Sequence, residues 1–307
     1  MTVHKKTNSK QEKACRYNIK VVRVDWWLWR VIAMAWPITE LAKRERVRVI
    51  TSRPLVFWWN PYVEEVHGTS EVDLFKNVIK GNDYIELEPY TDPEFYNEGR
   101  NWIEVACKQL GLWTDKETIE ASQPCLYLAE HENYNNNLSW RVVLFQPFGS
   151  WMEFTWADKT YRSFKIEDAQ YIADRLIDAW YIVYEVFDKE KQPKLKWCVE
   201  CSNKNLRWII SLADKYPVIG CDSCMHHAAK AFGRRSVVMW AATDAKRYGY
   251  DTSINMCENW MIEHTPMRFW TLWFNYDIIN QFSNKFSKQF LDRFVEESKK
   301  LLQERYK

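Results

Sequence analysis

The chain has few glycines, no long apolar run and almost no net charge. Only 8 of its 307 residues are glycine, and the formal net charge at pH 7 is +2. A charge so close to zero gives no global positive field to draw the protein to nucleic acid. No stretch reaches the roughly 18 apolar residues of a membrane-spanning helix. The first residues are polar and basic, so we expect no secretory signal and a cytoplasmic protein.

Aromatic residues and cysteines are abundant by comparison. The sequence contains 18 Trp, 16 Tyr and 15 Phe. Core packing accounts for most of them, although aromatic rings also stack on flat ligands such as bases and sugars. Eight cysteines in a chain without an export signal favour reduced thiols over disulfides.

Strand and helix patterns alternate along the chain and predict an α/β fold. Runs such as "KVVRVD" from Lys20 and "VRVIT" from Val47 predict buried strands, and helical stretches separate them. This succession is typical of a parallel sheet with helical crossovers, and the chain length suits two domains. The turn-rich segment "NYNNNLSW" marks the boundary between them. We predict a basic arm over 1–18, a first domain over 19–138, a second domain over 139–280 and a C-terminal helix over 281–307.

Two cysteine pairs have a spacing that is common in zinc sites. Cys198 and Cys201 form the first pair, and Cys221 and Cys224 form the second. Each pair lies at the C-terminal end of a predicted strand. In a sheet of order 3-2-1-4-5-6 two strands separate these positions, so the pairs lie roughly 14 Å apart. Zn–S bonds of about 2.3 Å cannot span that distance, and we expect no structural zinc.

The stretch "GCDSCMHHAAKAFG" from Gly220 joins a predicted strand to a predicted helix. A helix N-terminus offers unpaired N–H groups and a partial positive charge, which suits phosphate. Ser223 adds a hydroxyl there, and His227 in the first turns could reach a phosphate or a ribose. The alternative is an ordinary capped helix with buried histidines.

The same stretch resembles the nucleotide-sugar motif of glycosyltransferase family 9, the heptosyltransferase-like enzymes. That motif reads D-[ST]-G-x-x-H-x-A-A-A-x-G and is followed by a strand and a turn with Thr or Ser and Asp. Asp222, Ser223 and His227 match it without a gap, and Cys224 stands where the family has glycine. The resemblance is strongest over residues 217–250.

Weaker similarity to the family extends over about residues 20–250. Thr243 and Asp244 match the turn after the motif, and Arg162 takes the place of a basic residue that approaches the donor phosphates. In the first half, "NPYVEEV" is similar to a family element that reads NPYVDEV.

The resemblance implies a GT-B architecture, in which two Rossmann-like domains face each other across a cleft and the last helix crosses back to the first domain. It also implies inverting transfer of a sugar from a nucleotide sugar to an acceptor hydroxyl, without a cofactor. The donor-binding residues would be Arg162, Asp222, Ser223, Cys224, His227, Thr243 and Asp244.

The catalytic base is less clearly marked. The family usually has Gly-Asp after its first strand, whereas this chain reads "VDWWLWRVIAMAWP". Asp25, slightly upstream, is the carboxylate that we expect to serve as base. The missing Gly-Asp also leaves open a catalytically inactive relative that only binds nucleotide or nucleic acid.

The acceptor is predicted from the residues beside Asp25. Trp26, Trp27 and Trp29 stand next to Arg30, and aromatic residues interleaved with basic ones suit stacking on a base extruded from DNA. The basic arm could contact phosphates. We therefore expect a hydroxylated pyrimidine in DNA as acceptor, as in a phage-encoded enzyme. Lipopolysaccharide core or another glycan is the alternative acceptor.

Overall fold

A computed structural model describes most of the chain in segments. The described residues are 19–25, 27–112, 118, 125–132, 141–149, 162–190, 192–202, 205–241, 243–258 and 286–305. The predicted basic arm and Trp26 lie outside these ranges. No helix among the described residues has the length and apolar character needed to span a membrane.

The first half folds around a parallel sheet with the strand order β3-β2-β1-β4. The elements of this unit are β1 (Lys20–Arg23), α1 (Leu28–Ala42), β2 (Val47–Thr51), β3 (Glu65–Gly68), β4 (Asp83–Glu86) and α2 (Trp102–Gln109). The apolar residues of β1 and β2 are buried, which agrees with the β-branched runs that predicted these strands.

The second half folds around a parallel sheet with the order β10-β9-β8-β5-β6-β7. Its strands are β5 (Val142–Gln146), β6 (Ile182–Val186), β7 (Val199–Cys201), β8 (Val218–Cys221), β9 (Ser236–Trp240) and β10 (Ile254–Cys257). Its helices are α3 (Ile166–Asp178), α4 (Leu206–Lys215), α5 (Cys224–Ala231), α6 (Ala245–Tyr248) and α7 (Lys288–Arg305). Counted along the chain, this order is 3-2-1-4-5-6, and the predicted class of two parallel α/β units is confirmed.

The strand order also determines how far apart the two cysteine pairs lie. Cys201 ends β7 and Cys221 ends β8, and β6 and β5 lie between those strands. Two strands therefore separate Cys201 from Cys221 in the sheet.

The described part of the last helix packs on the second unit. Among the described residues, α7 packs against α3 and β9 of the second unit. Its buried side chains include Phe290, Phe294 and Leu302, which join the apolar cluster of the second sheet. The apolar stripe of α7 is thus used within the second unit, and the expected crossing of the chain's end to the first domain stays a prediction.

The stretch "NEGRNWIEVACKQLGL" over 97–112 has apolar residues at helical spacing and predicts one helix, but the helix in the structure is shorter. A turn over Glu94–Glu98 ends at Gly99, whose φ of 71° lies in the left-handed region. The side chain of Asn101 then accepts the N–H of Ile103 and caps a new helix, α2. The apolar spacing that predicted one helix belongs to α2 alone.

The two units are in direct contact. Helix α1 of the first unit packs on α5 of the second. Arg207 on α4 is buried, pairs with both carboxylate oxygens of Glu132 at 3.0 and 3.1 Å, and donates to the carbonyls of Leu55 and Tyr127. A buried arginine with these partners fixes the second unit against the loop after β2.

Glu185 on β6 is a buried carboxyl group whose ionisation should influence stability. Its two oxygens accept the N–H of Leu195 at 3.2 and 3.0 Å, and burial raises its pKa to about 7 from 4.5. Because the folded pKa lies above the unfolded one, the folded state holds the proton more tightly. The stability contribution of this group should therefore fall as pH rises from about 4.5 through 7.

We expect Glu185→Gln to stabilise the protein at pH 8 and to have little effect at pH 5. The amide still accepts the N–H of Leu195 but carries no charge to desolvate, and the gain at pH 8 should be about 1–3 kcal/mol. Urea unfolding at both pH values measures it, with the exposed Glu190→Gln as control. A gain of equal size at pH 5 and pH 8 would rule out ionisation of Glu185 as its source.

Candidate functional site

A close approach of two strands shapes the turn that starts α5. A Cβ atom on Gly220 would lie 2.1 Å from the backbone oxygen of Gln146, so only glycine fits there. The Gln146 side chain reaches the N-terminus of α5, where its Oε1 accepts the N–H of Met225 at 3.1 Å and lies 3.7 Å from Cys224 Sγ. One N–H of the predicted phosphate seat is therefore paired within the protein, and Cys224 contacts Gln146.

Ser223 and the next turn of α5 form a capping box. The N–H of Ser223 donates to Nδ1 of His226 at 3.2 Å. An Nδ1 that accepts carries no hydrogen, so the hydrogen of a neutral His226 is on Nε2. Burial lowers the pKa of His226 to about 4, which keeps the ring neutral at pH 7. His226, which the sequence analysis had not selected, therefore presents an N–H donor at the site.

Asp222 stands at the centre of the site and is buried. Its Oδ2 accepts the hydroxyl of Thr243 at 2.6 Å and lies 3.9 Å from Nη1 of Arg162. Its Oδ1 lies 3.8 Å from Nε2 of both His226 and His227. The fold thus brings together four residues that the family resemblance had selected, Arg162, Asp222, His227 and Thr243.

Residues of the first unit cover this cluster. The ring of Trp29, near the start of α1, stacks on His227 with 5.8 Å between centroids and 20° between planes. The Arg162 guanidinium lies 5.6 Å from the Trp29 ring centroid. Nδ1 of His227 lies 2.8 Å from the Tyr250 hydroxyl, and burial lowers the pKa of His227 well below its usual value. His227 is thus a neutral ring held at the junction of the two units.

Buried polar atoms without a hydrogen-bond partner in the described part of the chain are concentrated at this junction. Aromatic contacts connect them, since Trp102 lies 5.5 Å from His227 and 6.0 Å from Tyr90, centroid to centroid. The atoms are Nε1 of Trp29 and Trp102, Oε1 of Glu88, the Tyr90 hydroxyl, Oδ1 of Asp222 and Nε2 of His226 and His227. Buried polar groups in folded proteins almost always have partners. A cluster of donors and acceptors that lacks them indicates a binding site for a polar ligand.

Asp222, His226 and His227 also have side chains of the kinds that bind metal ions. Asp222, His226 and His227 each offer an atom within 4.8 Å of the others. However, Nδ1 of His226 accepts a backbone N–H and its Nε2 carries hydrogen, so neither nitrogen has a free lone pair. Two ligands remain, fewer than the three that a catalytic zinc takes from protein. The donor set therefore suits a hydroxyl-bearing ligand better than a metal ion.

The remaining predicted donor residue, Asp244, has a local role. Its Oδ1 accepts the N–H of Lys246 at 2.9 Å and caps α6, and its Oδ2 lies 3.5 Å from Nε of Arg247. No described hydrogen bond or ion pair joins its side chain to the cluster around Asp222.

The predicted acceptor residues near α1 are more buried than expected. Arg30 is 3% exposed, pairs with Glu88 at 2.9 Å and donates to the Leu87 carbonyl at 2.6 Å. The carbonyl of Trp27 accepts the backbone N–H of Arg30 at 3.0 Å as α1 begins. Arg30 is therefore closed to solvent and Trp29 is partly buried against His227, while Trp26 lies outside the described residues.

Asp25, the predicted base, follows β1 at the C-terminal edge of the first sheet. Its Oδ1 accepts the N–H of Ser52 at 3.1 Å, and its Oδ2 lies 3.5 Å from Nη2 of Arg23. Arg23 also pairs with Glu86 at 3.6 Å. Both oxygens of Asp25 are therefore engaged by its own sheet.

No family model and no curated protein matches this chain in sequence. Solved structures of low sequence identity share its fold. A glycosyltransferase family 9 protein from Veillonella parvula has a TM-score of 0.63 at 14% identity, over 94% of this chain and 98% of its own. The E. coli heptosyltransferase WaaC, solved with ADP, has a TM-score of 0.60 at 9% identity, over 91% and 99%.

A third structure with the same fold is the iron-containing dodecameric heptosyltransferase TibC, solved with ADP-D-β-D-heptose. Its TM-score is 0.64 at 10% identity, over 93% of this chain and 77% of TibC. The chain therefore has the fold of the heptosyltransferase-like glycosyltransferases, as the resemblance of its motif implied.

Proposed function

We propose that this chain is an inverting glycosyltransferase that moves a sugar from an ADP-linked donor to a hydroxyl of a glycan. The observation that carries the proposal is the group of buried donors and acceptors around Asp222 that have no hydrogen-bond partner among the described residues. This group lies at the edge of the sheet where strands β8 and β9 end. Ligands of open parallel sheets bind beyond the C-terminal ends of the strands. The ADP ligands of WaaC and TibC, which share the fold, support an adenine nucleotide as donor.

The chemistry of the site fits such a donor. Oδ1 of Asp222 is an acceptor and Nε2–H of His226 is a donor, and they lie 3.8 Å apart. A sugar or ribose hydroxyl can donate to the first and accept from the second. Arg162 supplies a fixed positive charge beside Asp222, where it would stabilise the charge that develops on the leaving diphosphate.

A glycan acceptor is favoured over the DNA base expected from the sequence. Trp29 is stacked on His227, and Arg30 is held by Glu88, so these side chains are not available to clasp an extruded base. Two of the solved structures that share the fold, WaaC and TibC, are heptosyltransferases. Heptose or a related sugar as the transferred group, and lipopolysaccharide core as acceptor, are the specific substrates that we propose.

A thermal-shift panel of ADP, UDP, GDP and ADP-heptose tests the donor. At 100 times its dissociation constant a ligand adds about 2.7 kcal/mol of stability, or roughly 5 °C in Tm. We expect that shift with ADP and ADP-heptose and a smaller one with UDP and GDP. Equal shifts for all four, or none, would contradict an adenine nucleotide donor.

A matched pair of histidine variants shows whether the ligand binds at the proposed site. His226→Ala removes the Nε2–H donor, which should cost about 1 kcal/mol, or roughly fivefold in ADP-heptose affinity. His67→Ala on β3 removes a histidine that pairs with Glu65 and Glu71 away from the site and should change nothing. Equal affinities of the two variants would place the ligand elsewhere.

A further inference from the structure

The proposed reaction needs a base that deprotonates the acceptor hydroxyl, and the assignment of that base rests on the proposed function. A base must offer an oxygen that can take a proton from the acceptor hydroxyl. Asp25 has one oxygen on the N–H of Ser52 and the other near Arg23. Both of these contacts come from the first sheet itself.

Glu88 follows β4, the neighbour of β1, at the same C-terminal edge of the first sheet. Its Oε2 lies 2.9 Å from Nη1 of Arg30, while its Oε1 is buried and has no hydrogen-bond partner within the described ranges. Arg30 is itself fixed, because it donates to the Leu87 carbonyl and lies 5.5 Å from the Tyr90 ring centroid. The arginine thus orients the carboxylate through one oxygen and leaves the other available.

Glu88 also lies toward the donor cluster. Tyr90, two residues further on, packs against Trp102, which contacts His227. Burial raises the pKa of the Tyr90 hydroxyl well above its usual value, and the charges of Asp222 and Glu88 raise it further. One carboxylate from each unit therefore acts on the same buried hydroxyl, and the packing of Tyr90 and Trp102 connects Glu88 to the donor cluster.

The Glu88 side chain is not sealed from solvent. It is 24% exposed, whereas Asp222 and Arg30 are 2% and 4% exposed. Oε1 itself is buried, so the acceptor hydroxyl must enter the junction to reach it, while the donor binds beside Asp222. Inverting transfer needs the base and the leaving group on opposite sides of the anomeric carbon.

We propose that Glu88 is the catalytic base of this chain. Its Oε1 takes the proton of the acceptor hydroxyl as that oxygen bonds to the anomeric carbon of the donor sugar. The bond from the anomeric carbon to the diphosphate oxygen breaks, its electron pair leaves on the nucleoside diphosphate, and the anomeric configuration is inverted. Arg30 positions Glu88 and does not touch the substrate.

Two conservative variants, Glu88→Gln and Asp25→Asn, compare the candidate bases. ADP binding is measured by calorimetry, and ADP release from ADP-heptose is measured with truncated lipopolysaccharide core as acceptor. We expect Glu88→Gln to bind ADP within twofold of the unchanged protein and to lose at least about 100-fold in turnover, the usual contribution of a general base. Asp25→Asn should retain turnover within a few-fold.

The opposite pattern, with turnover lost in Asp25→Asn and kept in Glu88→Gln, would overturn the assignment and leave the proposed function intact. If the unchanged protein neither binds ADP nor consumes ADP-heptose, the proposed function fails, and the assignment fails with it. The two failures are therefore distinguishable.

Chemical rescue separates a base from a structural partner of Arg30. Formate should restore turnover to Glu88→Ala in proportion to its concentration, because it can take the place of the missing carboxylate. Formate should have no effect on Asp25→Ala. Should Glu88→Ala fail to fold by circular dichroism, Glu88→Gln, which keeps an acceptor for Arg30, carries the test through the pH profile. Loss of the acidic limb of kcat/KM supports the proposal, and an unchanged profile would overturn it.

Discussion

Replacing Asp222 with asparagine is expected to weaken ADP-heptose binding by roughly tenfold or more while the protein remains folded. Asparagine keeps an oxygen for the Thr243 hydroxyl but loses the charge that pairs with Arg162 and that strengthens a hydrogen bond from a donor hydroxyl. Hydrogen bonds to charged groups contribute about 1.5–3 kcal/mol. Calorimetric titration with ADP-heptose measures the loss.

The control for this variant is Asp214→Asn. Asp214 also pairs with an arginine, Arg234 at 2.9 Å, but at the far end of α4. The Asp214→Asn variant should leave the affinity for ADP-heptose unchanged. If Asp222→Asn binds ADP-heptose as tightly as this control, Asp222 is not part of the donor site. A loss for ADP-heptose without a loss for ADP would assign the bond to the transferred sugar and not to the ribose.

The largest expected effect on stability is that of Gly220→Ala. The new Cβ would lie 2.1 Å from the Gln146 oxygen, so β5 and β8 must move apart in the middle of the sheet. This movement also displaces the Gln146 side chain from the N-terminus of α5. We expect a loss of about 4 kcal/mol or more, in the range of severe core disruption, measured by urea unfolding.

Gly81→Ala is the matched control. Gly81 also has a positive φ, 82°, but nothing lies within 4 Å of an added Cβ. Gly81→Ala should lower the free energy of unfolding by only roughly 1–2 kcal/mol, which is the cost of a side chain on a residue in the left-handed conformation. If the two glycine variants are equally stable, strand contact at Gly220 does not control the fold of the donor unit.

Local patterns in the sequence were sufficient for the architecture and for part of the site. Short β-branched runs bounded by turns predicted the strands, and their alternation with helices predicted the parallel order of the second sheet. The motif placed Asp222 and Thr243 in one site, although 21 residues separate them, and their side chains are 2.6 Å apart. Asp222 follows β8 and Thr243 lies after β9. These two strands are neighbours and end at the same edge of the sheet, so the proximity of the two residues follows from the strand order alone.

The contacts between the two units could not be predicted in the same way. Trp29 and Arg30 resembled an exposed aromatic and basic loop, but Arg30 is buried beside Glu88 and Trp29 stacks on His227 of α5. The contact of Trp29 with His227 joins residues about 200 positions apart in the sequence, for which a local pattern has no signal. Glu88 was missed for the same reason, because its relation to Asp222 arises only when the two units meet.

His226 had a signal that the sequence analysis did not use. It stands three residues after Ser223, the position at which a side chain reaches back to the cap of a helix. A polar residue there predicts a capping box, and a histidine in that box has its remaining hydrogen on Nε2. His227 is the histidine that matched the family motif. His226, its neighbour, holds an Nε2–H donor at the site.

One reaction tests the central claim of sugar transfer most directly. The purified protein is incubated with ADP-heptose and truncated lipopolysaccharide core, and the glycan is examined by mass spectrometry and by NMR of its new anomeric centre. The account predicts a glycan heavier by one heptose residue, release of one ADP per transfer, and an anomeric configuration opposite to that of the donor. An unmodified glycan with intact ADP-heptose, or a product that retains the donor configuration, would contradict it.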